Sequence, residues 1–306
     1  MSPLSGHVED YLRLRRALGY KLERAGHLLP KLVAYLEAAG SPTLTTELAI
    51  SWARLPEEAR PNHWAARLAV ARGFARYLQT IEPATQVPPA GVFPTRRHRP
   101  TPYLWSQQDT CRLLEGARGL RSPVRAATYE ALFGLLAVSG MRVGEAVGLD
   151  RDDVEFTAGV ITIRQAKFDR TRLVPLHPTT TAALRAYGTE RDLLCPVLSS
   201  AAFFLSSVGT RLDRSAVAKT LRDITTAMGL RTDTIRPTPH QLRHSFAVRT
   251  LIGWQRADVS IDERIATLSI YLGHVSPADT YWYLSAAPEL MALAAERLNS
   301  RFGSTR

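Results

Sequence analysis

Six prolines fall between Pro83 and Pro102 in this 306-residue chain. A regular helix or an interior strand cannot run through that spacing, because each proline lacks an N–H and pushes its predecessor out of the helical region. The chain therefore has to build two separate cores, one on either side, and it is long enough to do so. The same stretch carries Arg96, Arg97 and Arg99 around His98. We read residues 91–102 as a basic linker, either a tether or a strap along DNA phosphates.

Before the linker, residues 8–39 read as one or two helices, stopped by Gly40-Ser41-Pro42. Thr45 or Thr46 caps a short helix through Trp52, and Pro61 opens a helix over 61–79. There Trp64, Leu68, Ala71, Ala75 and Leu78 recur at alternating steps of four and three, a buried stripe. Arg67, Arg72 and Arg76 take other faces of that helix. In a basic four-helix block over 1–90 they are candidates for the DNA backbone.

After the linker, Ser106 caps a helix at 107–116, and an apolar helix over 123–139 ends at Gly140. Val160–Ile163 and Arg172–Leu176 read as a hairpin whose turn region holds Lys167. Helices are expected at about 178–187 and 214–228, with a short strand at Phe203–Leu205 between them. Ser260 and Glu263 open a helix that Gly273 ends, and a last helix covers 286–300. The fold class is mainly α with a small antiparallel sheet, a catalytic unit over 103–306 following the helical block.

Charge then narrows the partner. The chain has a net charge of +11, and both parts are basic: residues 1–100 carry 14 Lys+Arg against 8 Asp+Glu, the remainder 25 against 20. That balance points to a polyanion, and double-stranded DNA fits it. Apolar runs such as Ala131–Val138 are too short to span a bilayer, and the N-terminus lacks a signal-peptide pattern. Cys111 and Cys195 are not spaced as metal ligands or a disulfide framework, so both read as buried thiols of a cytoplasmic protein.

The chemistry concentrates at Thr238-Pro239-His240-Gln241-Leu242-Arg243-His244. Thr238 suits an N-cap, Pro239 the first helical position, and Gln241 completes a capping box. His240 and Arg243 then share one face of the first turn, where free N–H groups and the helix dipole favour a phosphate. Of 39 basic residues only Lys21, Lys31, Lys167 and Lys219 are lysines, and lysine can release a proton near neutral pH where arginine cannot.

Taken in order, Gly140-Met141-Arg142-Val143-Gly144-Glu145, Lys167, Arg172-Leu173-Val174-Pro175-Leu176, His240 with Arg243, and Leu272-Gly273-His274 with Tyr283 nine residues on resemble the tyrosine recombinase (phage integrase) family. The likeness is strongest to transposase-like integrases of bacterial mobile elements. It implies a helical core-binding domain before a catalytic domain, together closing as a clamp around duplex DNA. It implies too that Tyr283 forms a covalent 3′-phosphotyrosyl intermediate, cutting and rejoining DNA without ATP, metal or other cofactor. Arg142 and Arg243 hold the phosphate as planar charged forks. Lys167 protonates the leaving 5′ oxygen, although the family's flanking glycines are replaced by Ala166 and Phe168. His240 accepts the tyrosine proton or bonds the phosphate, and His274 donates to a phosphate oxygen.

The family further implies a monomer that assembles as a homotetramer on DNA, with sister recombinases as further partners. Its tail helix, with Leu290, Met291, Leu293, Ala294 and Leu298 apolar, docks in cis or on a neighbouring protomer. Some assignments stay open. Tyr281 is the rival nucleophile, Glu145 either holds Arg142 or forms an ordinary helix pair, and His244 reads as packing. A zinc hydrolase built on His240, His244 and His274 is disfavoured, because the glutamate of a zinc helix is missing and Arg243 would repel the metal. A non-catalytic DNA-binding protein and a type IB topoisomerase are the other readings. The target sequence is not legible in the chain.

Overall fold

A computed structural model describes residues 3–94, 102–166, 170–195, 200–274, 276, 278–285 and 289–292. The chain divides into two compact units, Met1–Arg99 and Pro100–Arg306.

The first unit packs four helices: α1 (Pro3–Ala17), α2 (Glu23–Ala38), α3 (Thr46–Arg54) and α4 (Pro61–Leu78). Thr45 supplies the cap of α3, its hydroxyl accepting from Leu48 N at 3.2 Å. Leu68, Ala71, Ala75 and Leu78 of α4 are buried as their spacing requires, joined by Phe74. Residues 83–94 begin as part of this unit and not as a free tether. Phe93 is buried against Trp64, with ring centroids 5.8 Å apart, and Val87 and Val92 pack on the same core. Apolar side chains and proline carbonyls, which need donors, bring the stretch back onto the helices.

Two of the arginines assigned to DNA have other occupations. Arg67 is buried, its guanidinium 4.0 Å over the Trp52 ring and its Nη2 donating to Trp52 O at 2.8 Å. It adds a second donor to a carbonyl in the last turn of α3 that already accepts from Leu55 N at 3.3 Å. Burial and then Arg24 lower its pKa. Arg72 donates to Pro88 O at 2.8 Å and Pro89 O at 2.5 Å, fastening the proline stretch. Arg76 is exposed. Arg96, Arg97 and Arg99 lie outside the described residues.

The second unit wraps helices round a three-stranded antiparallel sheet in order β1-β2-β3. Helices α5 (Gln107–Arg118), α6 (Pro123–Ser139) and α7 (Val143–Ala146) lead through a 3-10 turn to β1 (Val154–Glu155), β2 (Val160–Ala166) and β3 (Arg170–Pro175). Then follow α8 (Pro178–Leu194), α9 (Arg214–Ala227), α10 (Pro239–Arg256), α11 (Ile261–Leu272) and α12 (Ala278–Ser285). Helix α6 is buried on most sides, as its apolar sequence demands.

Several expectations are corrected. Helix α8 continues to Leu194, because nothing stops it before the residue preceding Pro196. Phe203–Leu205 forms no strand: Leu205 makes an isolated bridge with Arg211, and Ala202 just before it bridges Asp150, since Phe203 and Phe204 sink into the core. Cys111 is exposed, on the polar side of a helix whose Leu113 and Ala117 face inward. Helix α12 was not foreseen. Of the expected tail helix only 289–292 are described, and Leu290 is buried with Leu251, Leu268 and Tyr283 of the same chain. Among the described residues no helix is long and apolar enough to cross a membrane.

Candidate active site

The site forms where two helices end. Gly140 and Gly273 close α6 and α11 in the left-handed conformation, at φ 61° and 65°. A helix C-terminus presents carbonyls without partners and the negative end of the dipole, so both ends attract cations. Arg243 donates to Gly140 O at 2.8 Å and Leu272 O at 2.6 Å. Arg142 donates from Nη2 to Gly273 O at 2.8 Å. Two arginines far apart in sequence are thus held together by backbone oxygens.

Arg243 comes from the first turn of α10, which starts as the sequence predicts. Gln241 Oε1 accepts from Thr238 N at 2.6 Å, and Pro239 stands first. Arg142 precedes α7, whose Glu145 reaches back to accept from Arg142 N at 2.8 Å. Arg243 is only 1% exposed, whereas the Arg142 side chain is 39% exposed and open to an incoming anion. Burial first, then the charge of Arg142, brings the Arg243 pKa down to about 10, still charged at neutral pH.

Glu145 binds two arginines. It accepts from Arg142 Nη1 at 2.8 Å and, through both oxygens, from Arg172 Nη1 and Nη2 at 2.8 and 2.9 Å. Arg172 stands on β3 and also donates to Tyr271 O at 3.1 Å. Two guanidinium groups therefore share one carboxylate, and with Arg243 beside Arg142 the local charge is positive, a surplus suited to a phosphodiester.

Tyr283, in α12, is buried at 2% exposure. It lies close to the Arg243 guanidinium and favours that group's charged form. His274 lies nearly parallel to the Tyr283 ring at 5.9 Å, and His244 meets it edge-on at 5.3 Å. His240 stands beyond His244, 4.5 Å from it. His244 does pack, but it packs on the tyrosine. Tyr281 is 48% exposed.

Both catalytic histidine candidates are held neutral at pH 7. Burial, then Arg243 and Arg142, takes His274 down to about 4. The same causes in the same order lower His240, whose ring is partly withdrawn from water although the residue is exposed. His274 Nδ1 is 2.6 Å from Thr280 Oγ1, which orients the ring. Lys167 lies outside the described residues. Among the described residues no group of three His, Cys, Asp or Glu is placed to hold a metal ion.

The model of the phage integrase family matches residues 108–289, more than half of the chain and every one of these side chains. The chain belongs to the phage integrase family, the tyrosine recombinases. Over 99% of both chains it is 44% identical to the putative integrase/recombinase y4rB of Sinorhizobium fredii. It is 34% identical to tyrosine recombinase XerD of Mycobacterium tuberculosis, over 72% of this chain and 68% of that one. Among solved structures it resembles the Tn1549 transposon integrase in complex with circular-intermediate DNA, with TM-score 0.66 and 16% identity, covering 95% of this chain and 99% of that one. That likeness gives the fold.

Sequence reasoning passed over two members of this recombinase site. Arg172 sat in a recognised motif, yet its reach to Glu145 depends on the sheet meeting α7. Thr280 carries no signal, since only the turn between α11 and α12 returns it to His274.

Proposed function

We propose that this recombinase cuts and rejoins duplex DNA through Tyr283, with Arg142, Arg243, His240, His274 and Lys167 as the remaining catalytic residues. The tyrosine hydroxyl attacks phosphorus, the bond from phosphorus to the 5′ oxygen breaks, and a 3′-phosphotyrosyl ester forms. The phenolic proton passes to neutral His240, and Lys167 protonates the departing 5′ oxygen. Arg142 and Arg243 neutralise the non-bridging oxygens, and His274 donates a hydrogen bond to one of them. Reversal by another 5′ hydroxyl reseals the strand, and the stored ester replaces ATP.

The observation that carries this reading is Tyr283 lying against Arg243 of its own chain, with His274 on its ring. DNA as partner is supported by the net charge of +11 and by the Tn1549 integrase and XerH, whose structures hold DNA. The unit before the linker acts as a core-binding domain, with Arg76 and the Arg96, Arg97 and Arg99 knot on phosphates. The active form is a homotetramer on DNA, assembled from monomers in the cytoplasm, with sister recombinases as further partners.

A DNA site carrying a nick beside the scissile phosphate tests the reading, because the cut fragment diffuses away and traps the enzyme. The wild-type chain is expected to become covalently attached in chelator and without nucleotide. Tyr283→Phe should bind the same DNA and give no adduct, while Tyr281→Phe still gives one. Attachment through Tyr281, or none with a DNA the protein binds, would falsify it.

A further inference from the structure

We infer that Arg172 is a positioning residue for the strand-cleavage reaction: its fork on Glu145 leaves the Arg142 charge available to the phosphate. This rests on the function proposed above.

Glu145 stands between two guanidinium groups. Were Arg142 its sole partner, a buried carboxylate and an arginine at 2.8 Å would neutralise one another, and the charge needed by an incoming phosphodiester would be spent within the protein. Arg172 changes that balance. It takes both carboxylate oxygens, at 2.8 and 2.9 Å, while Arg142 Nη1 shares only Oε1. A bidentate fork is the stronger claim on a carboxylate, so Glu145 is satisfied chiefly by the less exposed arginine. Arg172 is 12% exposed against 39% for Arg142, so the partner that is neutralised is the more enclosed of the two and the open one keeps its charge.

The surroundings hold Arg172 to this role. Its Nε donates to Tyr271 O, so three of its nitrogens are engaged and the guanidinium cannot turn toward a substrate. At Gly273 a Cβ would come within 2.8 Å of Arg172 Nη1. The glycine that ends α11 therefore serves twice: it clears space for Arg172, and its carbonyl holds Arg142 Nη2 at 2.8 Å. Arg172 sits on β3, the strand that follows Lys167, so the salt bridge also ties the hairpin to α7 and α11.

The test compares wild type with Arg172→Met, which keeps length and apolar volume, on the nicked trapping substrate. Two versions of the scissile group are used: the ordinary phosphodiester, and a methylphosphonate in which a methyl replaces one non-bridging oxygen. The methylphosphonate is neutral, so its cleavage asks little of the arginine charges. On phosphodiester we expect Arg172→Met to cleave about a hundredfold more slowly at saturating DNA, with DNA affinity unchanged. On methylphosphonate the two proteins should differ by less than about threefold. Adding Glu145→Gln to Arg172→Met should recover part of the phosphodiester rate, since the competing carboxylate charge is then gone.

A defect of equal size on both substrates would overturn the inference, as general damage to the fold acts on either ester. So would an undiminished phosphodiester rate, or a double variant slower than Arg172→Met. If the wild-type chain formed no adduct on the phosphodiester, the proposed function would fall instead, before any variant was compared.

Discussion

Burial pushes the Glu145 carboxyl up, yet hydrogen bonds and charge from Arg172, followed by Arg142, outweigh it and hold the pKa at about 2. His274 is displaced the other way relative to its own charge, its cation disfavoured by burial and by two arginines, down to about 4 from an ordinary 6.5. Both shifts penalise acid, for different reasons. Between about pH 6.5 and 4 the unfolded chain takes up a proton at residue 274 that the folded chain refuses, so stability falls as pH drops through that window. From about 4.5 down to 2 the unfolded chain protonates residue 145 ahead of the folded one, and stability falls again. We expect denaturant unfolding followed from pH 7 to 4 to show a steady loss for wild type. The loss should be shallower for His274→Asn, and a variant with the same slope would contradict the assignment.

Helix α12 carries the proposed nucleophile, Tyr283, and has little of its own to hold it. Eight residues are too few for a helix to persist alone in water, so it exists by packing on α10 and α11. Thr280, fully buried on its inner side, bonds the His274 ring across the turn. Replacing that hydroxyl with a methyl keeps the volume and leaves a buried ring nitrogen unpaired. Thr280→Val should cost about 1–3 kcal/mol of stability. It should also slow adduct formation about tenfold, because the histidine loses its orientation. Thermal unfolding and single-turnover trapping measure the two effects, and an unchanged trapping rate would remove Thr280 from the site. The helix escaped sequence reading because Tyr281-Trp282-Tyr283 has no helical preference to announce it. Helices α4, α6 and α10 were legible because proline, cap and apolar spacing agree locally.

Across the whole molecule, Tyr283 meets Arg243 within one chain, and Leu290 after it is buried among residues of that chain. On the proposed function, cleavage is expected in cis. Mixed assemblies of Tyr283→Phe and Arg142→Gln chains on one nicked DNA should therefore give no covalent adduct, since neither chain has a complete site. A tyrosine delivered to a neighbour would restore cleavage in the mixture, and electrophoresis under denaturing conditions separates the outcomes.

The class of chemistry was legible through the motifs around Arg142, His240, Arg243, His274 and Tyr283, whose order resembles that of the tyrosine recombinases and whose residue types suit a phosphate. Residue order also divided the chain at its prolines, because a missing N–H acts wherever the chain goes. Assignments that needed distant partners came only with folding. Arg67 had the helical position of a surface residue, but Trp52 in another helix offered a carbonyl and a ring, and it went inside. Arg172 and Thr280 entered the site through neighbours 27 and 6 residues away, brought there by a sheet edge and a turn. Periodicity shows which face of an element is apolar; which polar groups meet across elements is decided by packing.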